Sequence, residues 1–147
     1  MDWVNLYLGL HGRLTRQPFW IGVLILAAVE FAIQLVADQF QSERMSAVFD
    51  LITTYPEFAL AVKRAHDRNI PSWIIVVFFA LNVAVDLMLF AGYGLNPTAR
   101  PVQFYVIAVP GLLLFLVLLI ELGFRRGTQG DNRYGPDPLV TKPLSRD

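Results

Sequence analysis

Four carboxyl side chains of this chain, Glu30, Asp50, Glu57 and Asp86, lie within otherwise apolar runs, and Asn82 precedes the last by one helical turn. In a hydrocarbon layer such groups must be protonated, hydrogen-bonded or wet, and they commonly mark proton or cation paths. A second concentration of polar chemistry is Lys63-Arg64-Ala65-His66-Asp67-Arg68, followed by Ser72-Trp73. His66 beside Asp67 has the composition of a base with its orienting acid. Adjacent residues rarely face each other, however, and no nucleophile of matching geometry accompanies them. The glycine-rich stretch from Gly127 to Pro138 lacks the strand and helix that make a phosphate loop, so it reads as a structured turn. An enzyme is therefore the reading with least support, and no cofactor is expected.

Composition narrows the field further. The chain has 147 residues, of which 55% are hydrophobic and only 16% charged. Soluble domains carry about 25% charge, so the deficit points to lipid. Cysteine is absent and there are two histidines, His11 and His66, which leaves no basis for disulfides, thiolate chemistry or a histidine-rich metal site. Twelve basic and twelve acidic residues cancel, and with them any case for nucleic acid as partner.

The elements that must carry these residues are membrane helices. Residues 19–37, 73–92 and 102–124 are each long and apolar enough to cross a hydrocarbon core of roughly 30 Å. Residues 45–64 are the doubtful segment, because Asp50, Thr53, Thr54, Pro56 and Glu57 interrupt the apolar pattern. Ser46, Asp50, Thr53 and Glu57 nevertheless step by four, three and four, which stacks them on one helical face and leaves the others apolar. The charge pattern also favours a fourth span. With four crossings and an inside N-terminus, only Arg44 and Arg100 of the twelve Lys and Arg residues fall outside, as basic residues prefer the cytoplasmic side. Three crossings cannot put both the Lys63 cluster and the basic tail inside.

The expected fold is thus all-α: a polytopic membrane protein of four transmembrane helices, both ends in the cytoplasm. Residues 1–124 form the membrane domain and residues 125–147 a turn-rich cytoplasmic tail. Trp3, Leu6, Tyr7 and Leu10 recur at helical spacing, so residues 2–10 suggest a short interfacial helix. At a rise of 1.5 Å per residue, Glu30, Asp86 and Asp50 lie about 17, 20 and 21 Å from the inner helix ends, and Glu57 about 10 Å. A proton- or cation-binding cavity and simple interhelical hydrogen bonding are both open readings of that shared depth. Pairing of Asp50 with Thr53 and Thr54, an i,i+4 pair between Glu121 and Arg125, and Ser72 as the cap of the third span after an Asn69–Pro71 turn complete the local expectations.

Three segments together resemble one family. Gly12-Arg13-Leu14-Thr15-Arg16 with Phe19-Trp20, then Arg64-Ala65-His66-Asp67 with Ser72-Trp73, then Gly127 through Asn132-Arg133-Tyr134-Gly135-Pro136-Asp137-Pro138, are similar to the DUF805 family of small bacterial inner-membrane proteins. The family pattern usually has two arginines before the histidine with a bulky residue between; this chain has Lys63 and Ala65 there. The resemblance implies a multi-pass protein of the bacterial inner (plasma) membrane and supplies no reaction. Combined with the four-span topology, it puts Arg13, Arg16, Arg64, His66, Asp67, Ser72, Trp73, Asn132, Tyr134 and Gly135 at the cytoplasmic side, as a polar cap in which Asp67 pairs with one arginine. Such a cap suits anionic lipid or a partner membrane protein; the alternative is a small proton- or cation-linked transporter using Glu30, Asp50, Glu57, Asn82 and Asp86. Oligomeric state is not legible.

Overall fold

A computed structural model describes residues 2–39, 43–92 and 101–140. Arg100 of the second expected outer loop, and Lys142 and Arg146 of the tail, lie outside the described residues, as does the side chain of Arg44. Among the described residues the regular elements are all helices, apart from one isolated bridge, Asn132 to Gly135. The helices are α1 (Trp3–Leu8), α2 (Arg16–Gln39), α3 (Glu43–Asp67), α4 (Ser72–Phe90) and α5 (Val102–Leu118), the last continued by a π-helical turn, Leu119–Phe124.

Three helical stretches, Arg16–Ala37, Ser72–Phe90 and Val102–Phe124, are long and apolar enough to cross a membrane. Their large apolar side chains, among them Leu24, Phe31, Val76, Leu112, Leu113 and Val117, are exposed on the outside of the bundle, as lipid-facing residues are. α3 is the most polar of the long helices and is not among those three. It is also the most enclosed, packing against α1, α2, α4 and the π-helical turn. Its buried residues Leu60, Val62 and Ala65 meet Phe19, Leu26, Ile75, Phe79, Leu118 and Leu122 in one core. Gly22 lets α2 approach α3 closely, since a Cβ there would stand 2.9 Å from Leu60 Cδ2.

The end of α3 explains the turn that follows. Asn69 adopts a left-handed φ of 57°, and Ile70 N–H donates to the Ala65 carbonyl at 2.9 Å while Asn69 N–H donates to His66 at 3.0 Å. This closes the last carbonyls with a Schellman-type cap, which Asn tolerates among non-glycine residues. α4 then starts after Pro71. Ser72 is not its cap: Pro71 occupies the N-cap position, with no side-chain bond to the helix, and the Ser72 hydroxyl turns to His66 instead.

The N-terminal helix is shorter than residues 2–10. Asp2 caps it, with Oδ1 accepting from Asn5 N–H at 3.1 Å, and Gly9 ends it in extended conformation. It is fastened to the bundle by Lys63, whose buried ammonium donates to the carbonyls of Asn5 and Leu6, and by Tyr55, whose hydroxyl donates to the Leu8 carbonyl at 2.9 Å. Tyr7 OH reaches the Gly22 carbonyl at 3.3 Å. A bond from a charged donor contributes about 1.5–3 kcal/mol. Lys63→Met should therefore raise hydrogen exchange of residues 3–9 by about tenfold or more while α2 and α4 keep their protection. Equal loosening of all helices would show that Lys63 supports the bundle rather than α1.

Candidate functional site

Three chain segments meet at one end of the bundle: residues 12–16, the α3–α4 loop and residues 125–137. The centre is Asp67, whose side chain is 4% exposed. Its Oδ1 accepts from Arg13 Nε at 3.2 Å and lies 3.1 Å from Nη2, while its Oδ2 accepts from Arg64 Nη1. Arg13 and Arg64 are themselves buried, at 2% and 0% exposure. Asp67 thus pairs with two arginines, one from each side.

Each guanidinium spends its remaining donors on main-chain carbonyls. Arg13 bonds Gly130 O at 2.7 Å, Gly135 O at 3.4 Å and the Thr128 carbonyl. Arg64 bonds Leu122 O at 2.7 Å, Leu14 O at 3.3 Å and Arg125 O. The Leu122 and Arg125 carbonyls end the last helix, where outward carbonyls lack partners and the helix dipole favours a cation. One side chain of α3 therefore holds the N-terminal segment, the last helix and the carboxylate at its own helix end.

Thr128 completes the join, its N–H donating to the Asp67 carbonyl at 2.8 Å and its hydroxyl at 3.1 Å. Gly127 has to be glycine for this close approach. A Cβ there would fall 2.1 Å from Asp67 Oδ2.

His66 faces away from Asp67. Nδ1 lies 3.1 Å from the Gly12 carbonyl, so it carries the proton, and Nε2 accepts from Ser72 Oγ at 2.8 Å. The ring stacks on Tyr134 with centroids 3.9 Å apart, and Arg133 lies over the same phenol ring with its Cζ 4.7 Å from the centroid. Asn132 Nδ2 donates to the His66 carbonyl at 2.9 Å and to Thr128 Oγ1 at 2.8 Å, and Asn132 Oδ1 accepts from Tyr134 N–H. Gly135 pairs with Asn132 at a φ of 137°, a conformation suited to glycine. Burial pushes His66 below its ordinary value of 6.5, against the bond to Gly12 that works the other way.

Arg16 joins this end only at its edge, Nη1 donating to the Phe124 carbonyl at 3.3 Å. Trp73 stands outward, 64% exposed. Glu121 does more than pair with Arg125 at 2.7 Å, since its other oxygen receives Arg68 at 3.2 Å and ties the loop to the last helix. Lys63, Gly127, Thr128 and the Arg68–Glu121 pair were not singled out as part of the cap by sequence reasoning. A glycine following the basic pair Arg125-Arg126 was the one available signal.

The polar residues within the long helices also come together. Glu30, Asp50, Glu57, Asn82 and Asp86 line one cavity of about 420 Å³ among α2, α3, α4 and α5, together with Thr53, Thr54 and aromatic rings. The two threonines do not serve the Asp50 carboxyl as expected. Their hydroxyls bond the Asp50 main-chain carbonyl, at 3.1 Å from Thr53 and 2.7 Å from Thr54, as helical hydroxyls do one turn back. Asn82 likewise returns its amide to the Phe78 carbonyl at 2.8 Å. Among the described residues, no three or more His, Asp or Glu side chains converge closely enough to hold a metal ion.

Long apolar helices, outward-facing aliphatic side chains and a polar cluster at one end define a membrane protein of the helical class. Residues 7–136 match the family "Protein of unknown function (DUF805)", and the chain belongs to that family. It is 32% identical to "Uncharacterized protein YiiR" of Escherichia coli (strain K12) over 134 residues, 89% of this chain and 86% of that protein. It is also 22% identical to "Inner membrane protein YhaH" of that strain over 150 residues, covering 95% and 98% of the two chains. "Inner membrane protein YhaI", again from that strain, is 28% identical over 135 residues, 90% and 87% of the two. No solved structure matches.

Removing one partner of a buried ion pair costs about 3–5 kcal/mol, because the other charge is left bare. Asp67→Asn should lower the unfolding free energy in detergent by that order, and Gly127→Ala should destabilise in the same direction by displacing the carboxyl. A loss below about 1 kcal/mol for Asp67→Asn would mean the guanidiniums are held by carbonyls alone. For His66, the unfolded chain takes up a proton more readily than the folded one. Its contribution is therefore full above the ordinary value and is lost as pH falls through it. The melting temperature should drop between about pH 7 and pH 5 more steeply in the parent than in His66→Gln, and identical slopes would contradict the assignment.

Proposed function

We propose that this chain is a four-span protein of the bacterial inner membrane, with both ends in the cytoplasm. On this reading it has no catalytic chemistry of its own, and its cytoplasmic cap presents cations to anionic lipid or to an acidic partner protein. The observation that carries the reading is the meeting of residues 12–16, the α3–α4 loop and residues 125–137 at one end of the bundle. A chain that leaves this end through α2 and is back there by Lys63 has only α3 for its return. Twenty-five residues of helix span about 37 Å, enough for the crossing. The polarity of α3 is no obstacle when its neighbours enclose it. The names of the two inner-membrane relatives agree with the compartment.

A non-enzymatic role is supported by where His66 and Asp67 point. Their side chains serve different partners, and neither activates a nucleophile. The family-like motif residues Arg13, Arg64, His66, Asp67 and Asn132 act as a clasp. What remains for an outside ligand is the exposed set: Arg16, Arg125, Arg126 and Arg133.

The second reading, a proton- or cation-linked transporter, draws on the single cavity that gathers Glu30, Asp50, Glu57, Asn82 and Asp86. It predicts pH-dependent flux in liposomes that Glu30→Gln, Asp50→Asn and Asp86→Asn each abolish; flux equal to protein-free vesicles would remove it.

The topology is tested by single cysteines, since the chain has none of its own. Cysteines at Asn69 and Gln129 should react with an impermeant maleimide only after the cytoplasmic face is opened. Those at Ser42 and Thr98, outside the described residues, should react in intact spheroplasts. Labelling of Asn69 and Gln129 from opposite sides would break the four-span arrangement.

A further inference from the structure

The cap end carries a groove of about 620 Å³ that the clasp does not fill. We propose that it seats the phosphate headgroup of an anionic phospholipid of the inner leaflet, held by Arg16 and Arg126. The inference rests on the cytoplasmic placement of the cap and gives its ligand a site.

Charge is the first argument. The guanidiniums at this end divide into two kinds. Arg13 and Arg64 share Asp67, and Arg68 and Arg125 share Glu121. Arg16 and Arg126, both exposed and both lining the groove, have no carboxylate in ion-pair range among the described residues. The two carboxylates that also line the groove are already engaged. Asp67 is held between its arginines. Asp137 accepts from Leu139 N–H at 2.9 Å and from Gly130 N–H at 2.8 Å, bonds that hold its carboxyl below the usual range. Two uncompensated cations facing one concavity suit a phosphodiester, which offers an oxygen to each.

Depth is the second argument. Trp20 and Phe124 wall the groove with ring centroids 5.8 Å apart, at the cap-side ends of α2 and of the last helix. Aromatic rings at span ends sit at headgroup level, and basic pockets there receive anionic headgroups. The Trp20 indole is fixed by its Nε1–H bond to the Gly123 carbonyl at 3.0 Å, which only a residue without Cβ permits, since one would stand 2.8 Å from Trp20 Cζ2. That carbonyl belongs to the π-helical turn, a device frequent at functional sites. The groove therefore has a rigid apolar wall for glycerol and upper acyl carbons, and a cationic rim for phosphate. An acidic peptide would use the rim and leave the wall unexplained.

Trp20 is also the reporter. With Trp3 and Trp73 replaced by Phe, it is the sole tryptophan of the chain. In bilayers, phosphatidylglycerol brominated near the carbonyl should quench Trp20 more than phosphatidylcholine brominated at the same carbons and mole fraction. Arg16→Gln and Arg126→Gln should each cut the preference about fivefold, the effect of one basic residue at the headgroup surface. Arg133→Gln, at an exposed arginine that does not line the groove, should leave it unchanged, and helical circular dichroism checks that each variant is folded. Inorganic phosphate in solution should not reverse the quenching; reversal would assign the groove to a soluble anion and overturn the lipid site. A preference lost equally in all three variants means diffuse attraction, which overturns the groove and spares the broader reading of the cap. Equal quenching by both lipids in the parent overturns lipid recognition altogether and leaves the acidic partner protein.

Discussion

A single carboxylate, that of Asp67, sits between two guanidiniums, with all three side chains almost wholly buried. Burying three charges is tolerable only if every donor and acceptor is satisfied, because a bare ion at low dielectric costs several kcal/mol. The chain meets that condition by bringing carbonyls from the N-terminal segment, the last helix and the tail to Arg13 and Arg64. The requirement runs in both directions. The segments are needed to satisfy the charges, and the charges hold the segments together. Residues 12–16, the end of α3 and the tail after α5 thus become one end of the molecule.

That constraint sets the geometry of the rest. If the chain starts at the clasp, returns to it after α3 and returns again after α5, then α2–α3 and α4–α5 are two hairpins side by side. α3 takes the central position, although it is the least apolar of the long helices. Its Asp50, Thr53, Thr54 and Glu57 look into the cavity shared with Glu30, Asn82 and Asp86, while Leu60 and Ala65 pack in the core. Position in the bundle is decided here by neighbours and not by composition. Taken helix by helix, three of the long helices are apolar enough to cross a membrane, and α3 is not among them.

Much of this was legible before any coordinates. Continuous apolar runs have one physical outcome in a chain of this composition, so α2, α4 and α5 follow from the sequence. The stepping of Asp50, Thr53 and Glu57 placed them on one face because helical periodicity is rigid. The association of Asp67 with an arginine came from charge and family-like spacing, but the second arginine did not. Arg64 lies only one turn away, where an exposed pair would be minor, and only burial raises its weight. Ser72 misled for a related reason: its position before an apolar run is that of a helix cap, yet Pro71 already supplies the turn, which frees the hydroxyl for His66. Gly127 and Lys63 were invisible as partners because their contacts lie 60 and about 57 residues away in sequence, across loops that no periodicity spans.

The account stands on energetic coupling between Arg13 and Asp67 across the distance from N-terminal segment to loop. A double-mutant cycle with Arg13→Gln, Asp67→Asn and the pair together, read as unfolding free energy in detergent, measures it directly. The account predicts a coupling of about 2 kcal/mol or more, the double variant being far less damaged than the sum of the singles. Additive losses, with a coupling within about 0.5 kcal/mol of zero, would contradict it.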